Sequence, residues 1–243
     1  MSFNNNEYRP SGFGYLPVVT KNIIIINVIM FLASMILQTR GIDLTKYFGL
    51  HYYLADDFKP HQFVTYIFMH SGFQHILFNM LGVYIFGQVL EQVWGPKRYL
   101  IFYIVTGLGA ALAQYIIMHF QISHTLDMVN QELALPSMSA YDKSELINQK
   151  YDYLNRHVIV GASGSLFGLL GAFGMLFPNR ELYLYFLFPI KAKWLVIAYG
   201  AFEIFSGLRS DPGDNVAHFA HIGGLIVGVI LVLLWRKDRN HFY

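Results

Sequence analysis

The chain has 243 residues, 55% of them hydrophobic and only 13% charged, with a mean hydropathy of +0.40. These values exclude an ordinary soluble domain and leave room for about six membrane spans of roughly 20 residues each. The formal net charge of +2 and the lack of a dense Lys/Arg run argue against a nucleic-acid partner, and the absence of cysteine removes disulfides, thiolate metal sites and cysteine catalysis.

Residues 1–22 are polar, carry Arg9 and Lys21, and read as a cytoplasmic N-terminal segment. The apolar run at 23–37 has no small-x-small cleavage site, so it reads as a retained first span. No C-terminal anchor or retention motif is visible. Residues 38–72 mix Asp43, Lys46, Asp56, Asp57 and Lys59 with Tyr47, Phe48, Tyr52 and Phe63, as in an outer loop lying at the interface. The second span is predicted at 73–93 and holds His75 and Asn79; a tight turn at 94–98 leads to a third span at 99–118. A long polar outer loop follows at 120–157, with weak helical spacing over 144–154 that suggests a surface helix. Spans four, five and six are predicted at 158–177, 194–208 and 216–235, with a turn at 211–214 inside a cap loop at 207–216. Residues 236–243 form a tail. The predicted fold class is an all-α membrane protein, a bundle of six spans over 23–235.

Lys and Arg set the orientation. With a cytoplasmic N-terminus, ten of them fall on that side and seven on the other, so both termini are expected in the cytoplasm. Ser163 and His221 then lie near the outer ends of spans four and six.

Polar residues inside spans are expensive, and these two point to chemistry. Ser163 sits two or three residues inside span four, beside Gly161, Gly164, Gly168 and Gly171 on one helix face. His221, Gly224 and Gly228 make a matching face on span six, and two smooth faces would bring imidazole to hydroxyl. A bland alternative is ordinary small-residue packing, with Ser163 bonded back to a carbonyl. His218 competes as base, but His221 lies deeper and carries the glycine register, so it is preferred. Asp211 and Asp214 lie beyond the span, which leaves a Ser-His dyad as the simpler reading and a third member open.

An acyl transfer needs oxyanion donors. His75 and Asn79 share one face of span two, and backbone N–H groups near Ser163 point outward at a helix N-terminus. His70 reads as structural. No His-Glu-x-x-His is present, no carboxylate lies near His218 and His221 within their span, and no span holds paired aspartates. No metal and no cofactor are therefore expected. Glu203, in span five, reads as the one acidic intruder and is assigned no chemistry.

Residues 62–235 resemble the rhomboid intramembrane serine proteases of the six-span bacterial type. The resemblance rests on His75-x-x-x-Asn79, Gly161-Ala162-Ser163-Gly164 and Ala220-His221-Ile222-Gly223-Gly224-x-x-x-Gly228, in that order and in those spans. It implies Ser163 as nucleophile, His221 as base, and His75, Asn79 and the Ser163 N–H as oxyanion donors. It also implies a water-filled cavity open to the outer side, the 207–216 loop as its cap, span five as gate, and single-span membrane proteins as substrates. Phe167 stands where family members often have a tyrosine on the catalytic imidazole, and the first loop lacks the family's Trp-Arg pair. The localisation implied is a bacterial cytoplasmic (inner) membrane. Membrane lipid is the other expected partner. A non-catalytic rhomboid-like binder of membrane helices is the alternative. A small transporter is disfavoured, because no internal repeat is visible.

Overall fold

The computed structural model describes residues 16–184, 188–209 and 216–239. Residues 1–15 of the N-terminal segment, the 211–214 turn with most of the cap loop, and the tail beyond 239 lie outside the described residues. In lipid the backbone has to satisfy its own N–H and C=O groups, so each apolar run folds as a helix.

Helix α1 (Val18–Gln38) begins earlier than its apolar run because a distant carboxylate caps it. Glu91 accepts the N–H groups of Val19 and Thr20 at 2.9 and 2.7 Å, and the Thr20 hydroxyl at 2.8 Å. These are donors that a first helical turn leaves without an intrahelical partner. Glu91 belongs to the second apolar run and is 4% exposed, so Glu203 is not the one acidic residue within the spans.

The 38–72 loop is well structured. It holds α2 (Leu44–Phe48), β1 (Leu50–His51) and α3 (Gln62–Thr65), which runs on into a 3-10 turn at Tyr66–Phe68. Buried Gln62 ties it together, accepting from His51 N at 3.2 Å and Lys59 N at 3.1 Å while donating to the Asp57 carbonyl at 2.8 Å. The second span is one continuous path, α4 (Phe73–Gly82), a π-helical stretch (Val83–Gly87) and α5 (Gln88–Trp94).

Helix α6 (Pro96–Leu133) overturns the expected loop at 120–157. It has 38 residues, about 57 Å, far more than a hydrocarbon core about 30 Å thick requires. Its polar end is stabilised by α7 (Ala140–Arg156), which folds back along it, with Lys150 Nζ donating to Asn130 Oδ1 at 2.8 Å. The region is thus a helical hairpin. Val158 and Ile159 belong to a strand, β2 (Val158–Ile159), rather than to a span; β2 pairs antiparallel with β1, His51 opposite Val158 and Leu50 opposite Ile159. Span four is accordingly shorter than predicted, α8 (Ser163–Leu176), and Ser163 opens it instead of lying inside it. A two-stranded hairpin, β3 (Glu181–Leu184) and β4 (Phe188–Lys191), connects α8 to α9 (Ala192–Arg209), and α10 (His218–Arg239) ends the described chain.

Helices α6, α8 and α10 form the packed centre, around buried Phe102, Tyr103, Leu169 and Phe173. Ile29, Ile36, Leu112, Ile116, Ile226 and Ile230 point outward and are exposed, as lipid-facing positions should be. Among the described residues, four helices are long and apolar enough to cross a membrane: Val18–Gln38, Phe73–Trp94, Pro96–Leu133 and His218–Arg236. Helix α8 is apolar but has only 14 residues.

Candidate active site

The site forms where α8 and α10 begin at the same end of the bundle. Gly161 precedes α8 with φ of +124°, a conformation that side chains disfavour, and its N–H donates to the Tyr66 carbonyl at 3.0 Å. This turn ends the β2 segment and sets Ser163 as the first residue of the helix. On α10, Ala220 N–H donates to Gln114 Oε1 of α6 at 3.2 Å, which fixes the level of the first turn. His221 then reaches across, its Nε2 2.8 Å from Ser163 Oγ. A hydroxyl hydrogen-bonded to an imidazole is the contact that nucleophilic catalysis needs.

Close backbone approach makes this reach possible. A Cβ on Gly224 would overlap the Gly164 carbonyl oxygen, and one on Gly228 would lie 2.7 Å from the Gly168 carbonyl oxygen. The two glycine faces do not simply meet, however. The missing side chains of Gly164 and Gly168 face Ala110 and Thr106 of α6, so α8 is squeezed between two neighbours. Ser165, the other serine of the segment, is buried and donates to the Tyr103 carbonyl at 2.8 Å. The Phe167 ring stacks on the His221 imidazole, centroids 4.3 Å apart and planes 6° from parallel.

His75 stands on the far side of Gly161. A Cβ there would lie 2.7 Å from His75 Nε2 and 3.7 Å from Ser163 Oγ, so the glycine keeps open the gap between imidazole and hydroxyl. Ser71 N–H faces His75 Nδ1 at 3.5 Å, which makes Nδ1 the acceptor and leaves the proton on Nε2, toward that gap. Asn79 is 4% exposed and donates one N–H to the His75 carbonyl at 2.8 Å. His70 packs edge-on against His75 at 5.0 Å; burial, with the neighbouring His75 as a smaller cause, pushes its imidazole down to about 3, so it stays neutral.

Glu203 changes the electrostatics of the site. The sequence assigns Glu203 no chemistry, and the α10 histidines have no carboxylate within their own span, yet α9 delivers one to both. Glu203 Oε2 lies 2.5 Å from His218 Nδ1 and 3.0 Å from His221 Nδ1. Gly207, one turn further along α9, allows the approach, since a Cβ there would sit 3.2 Å from His218 Cβ. A lone carboxylate in an apolar helix was the available signal, because lipid would not tolerate it unpaired.

The Rhomboid domain model matches residues 57–238. RHOMBOID-like protein 12, mitochondrial, of Arabidopsis thaliana is 29% identical over 191 residues, covering 77% of this chain and 51% of its own. Rhomboid-like protein 11, chloroplastic, from the same plant is 28% identical over 236 residues, 88% of this chain and 64% of its own. Rhomboid protease AarA of Providencia stuartii is 26% identical over 180 residues, 69% of this chain and 53% of its own. The chain therefore spans between about half and two thirds of the length of these relatives. A family match over most of the chain, carried on apolar helices that can cross a bilayer, makes this an integral membrane protein that belongs to the rhomboid family.

Proposed function

We propose that the chain is an intramembrane serine endopeptidase that cleaves single-span membrane proteins through an acyl-enzyme. The observation that carries this reading is the 2.8 Å contact between Ser163 Oγ and His221 Nε2. Ser163 Oγ attacks the scissile carbonyl carbon while its proton passes to Nε2. As the C–N bond breaks, His221 returns that proton to the leaving amine, and water then repeats the sequence on the ester. His75 Nε2–H and the first N–H groups of α8 are aimed to hold the oxyanion, with the second amide N–H of Asn79 as a further donor. Glu203 acts by position: its carboxylate, 3.0 Å from His221 Nδ1, favours the proton on that nitrogen and leaves the Nε2 lone pair for Ser163.

The same proposal takes α8 and α9 as the fourth and fifth of six spans, with both termini cytoplasmic, in a bacterial inner membrane. The site then opens to the outer side. Substrate helices that fray at small or helix-breaking residues present the backbone it requires.

A fluorophosphonate probe tests the nucleophile without a known substrate. Wild type is expected to be labelled at Ser163, with slower labelling in Glu203→Gln and none in Ser163→Ala. Labelling that persists in Ser163→Ala would remove the proposed nucleophile. Gly161→Ala is expected to slow labelling by about 10²- to 10³-fold, the size of a lost oxyanion donor, because its methyl group fills the gap between His75 and Ser163. Unchanged labelling in that variant, with the fold intact by circular dichroism, would move the oxyanion site elsewhere.

A further inference from the structure

Both α10 histidines turn the same ring nitrogen toward the same carboxylate. His218 Nδ1 and His221 Nδ1 lie 2.5 and 3.0 Å from Glu203 Oε2, and one ligand atom from each of the three residues falls within 4.8 Å of the others. One oxygen does not serve both donors well. His218 makes the hydrogen bond, while His221 Nδ1, in a residue only 9% exposed, makes none of good geometry. Two imidazole nitrogens and a carboxylate, buried and convergent from two helices, are the His₂Glu donor set that suits zinc, whose bonds to N and O are about 2.0–2.2 Å. Ligand atoms around such an ion stand roughly 3.3 Å apart. Modest side-chain rotations at Glu203, His218 and His221 therefore make the site.

We propose that Glu203, His218 and His221 bind a Zn²⁺ ion that switches the dyad off. The switch follows from the two nitrogens of one ring. With Nδ1 on the metal, a neutral His221 carries its proton on Nε2, the atom that faces Ser163 Oγ. That nitrogen has no lone pair left to take the hydroxyl proton. The carboxylate and the ion thus set opposite tautomers: Glu203 alone gives the competent ring, and zinc gives the inert one. The site's two histidines lie in the first turn of α10, at a helix end and not at mid-span. Hard cations such as Mg²⁺ prefer oxygen ligands and are not expected to compete. The switching effect rests on the protease reading above, whereas the binding does not.

Cobalt serves as the spectroscopic probe, using the full, tag-free chain in detergent micelles. The expected result is a visible d–d absorption band that saturates at one equivalent of Co²⁺. It should be lost in both His218→Ala and Glu203→Gln, and Zn²⁺ should displace it. Zn²⁺, but not Mg²⁺, should slow fluorophosphonate labelling of wild type by roughly tenfold or more, and a chelator should restore it. In His218→Ala, Zn²⁺ affinity should fall by more than the roughly 10- to 100-fold that losing an outer-shell partner costs. A missing band, or one of full strength in both variants, overturns the site. Zinc that binds in wild type without slowing labelling overturns the switch. If metal-free wild type does not label at all, the protease reading fails, and the cobalt band still decides the metal site.

Discussion

Ser163→Ala is expected to lower cleavage of a single-span substrate in liposomes by about 10⁴- to 10⁶-fold, and His221→Ala by a comparable factor. On the proposed mechanism the two residues act as one unit through their 2.8 Å hydrogen bond, so the double variant should be little worse than either single one. His218→Ala should lose far less, since that ring contacts Glu203 and stands edge-on to His221, with centroids 6.4 Å apart. Site-specific cleavage assays on protein shown to be folded make the comparison. Wild-type cleavage by Ser163→Ala would end the dyad account. A larger loss in His218→Ala than in His221→Ala would exchange the two histidines.

The second large effect concerns packing. Gly224→Ala is expected to destabilise the bundle by about 4 kcal/mol or more, since the new methyl group overlaps a main-chain carbonyl. That oxygen belongs to Gly164, next to Ser163, so relief requires α8 and α10 to separate. Separation lengthens the contact between Ser163 and His221 and should lower activity even in protein that still folds. Gly72→Ala provides the control, because nothing lies within 4 Å of the added Cβ; as the N-cap of α4 it should cost no more than about 1 kcal/mol. Thermal unfolding in detergent separates the two. Equal unfolding temperatures for wild type and Gly224→Ala would show that the helices tolerate a wider spacing.

What could be read from the chain follows from which interactions are local. Glycines at 161, 164, 224 and 228 announce close helix contact through spacing alone, and the serine and histidine stand among them. Glu203 and Glu91 were not legible as partners, because their contacts depend on how α9 meets α10 and how α5 meets α1, over 15 to 72 positions of chain. The run at 158–159 is a strand and not the start of a span, a difference not legible because a short apolar segment before a helix looks the same whether it is strand or helix. Helix α6 outran its prediction for the opposite reason. Beyond Met118 the apolar signal fades, yet a partner helix keeps the polar turns helical.

The shortness of α8 carries a consequence of its own. Arg236 of α10 donates to the Met175 carbonyl at 2.7 Å, which ties the C-terminal end of α8 to the far, polar end of α10. From there 14 residues rise only about 21 Å, against a hydrocarbon slab about 30 Å deep. If α8 is the fourth span, as proposed, its length acts as a depth gauge, leaving the Ser163 hydroxyl roughly 9 Å beneath the opposite face. On the proposed mechanism, bilayer thickness thus becomes a variable of the chemistry: a thinner membrane brings the hydroxyl nearer to bulk water, and a thicker one buries it deeper.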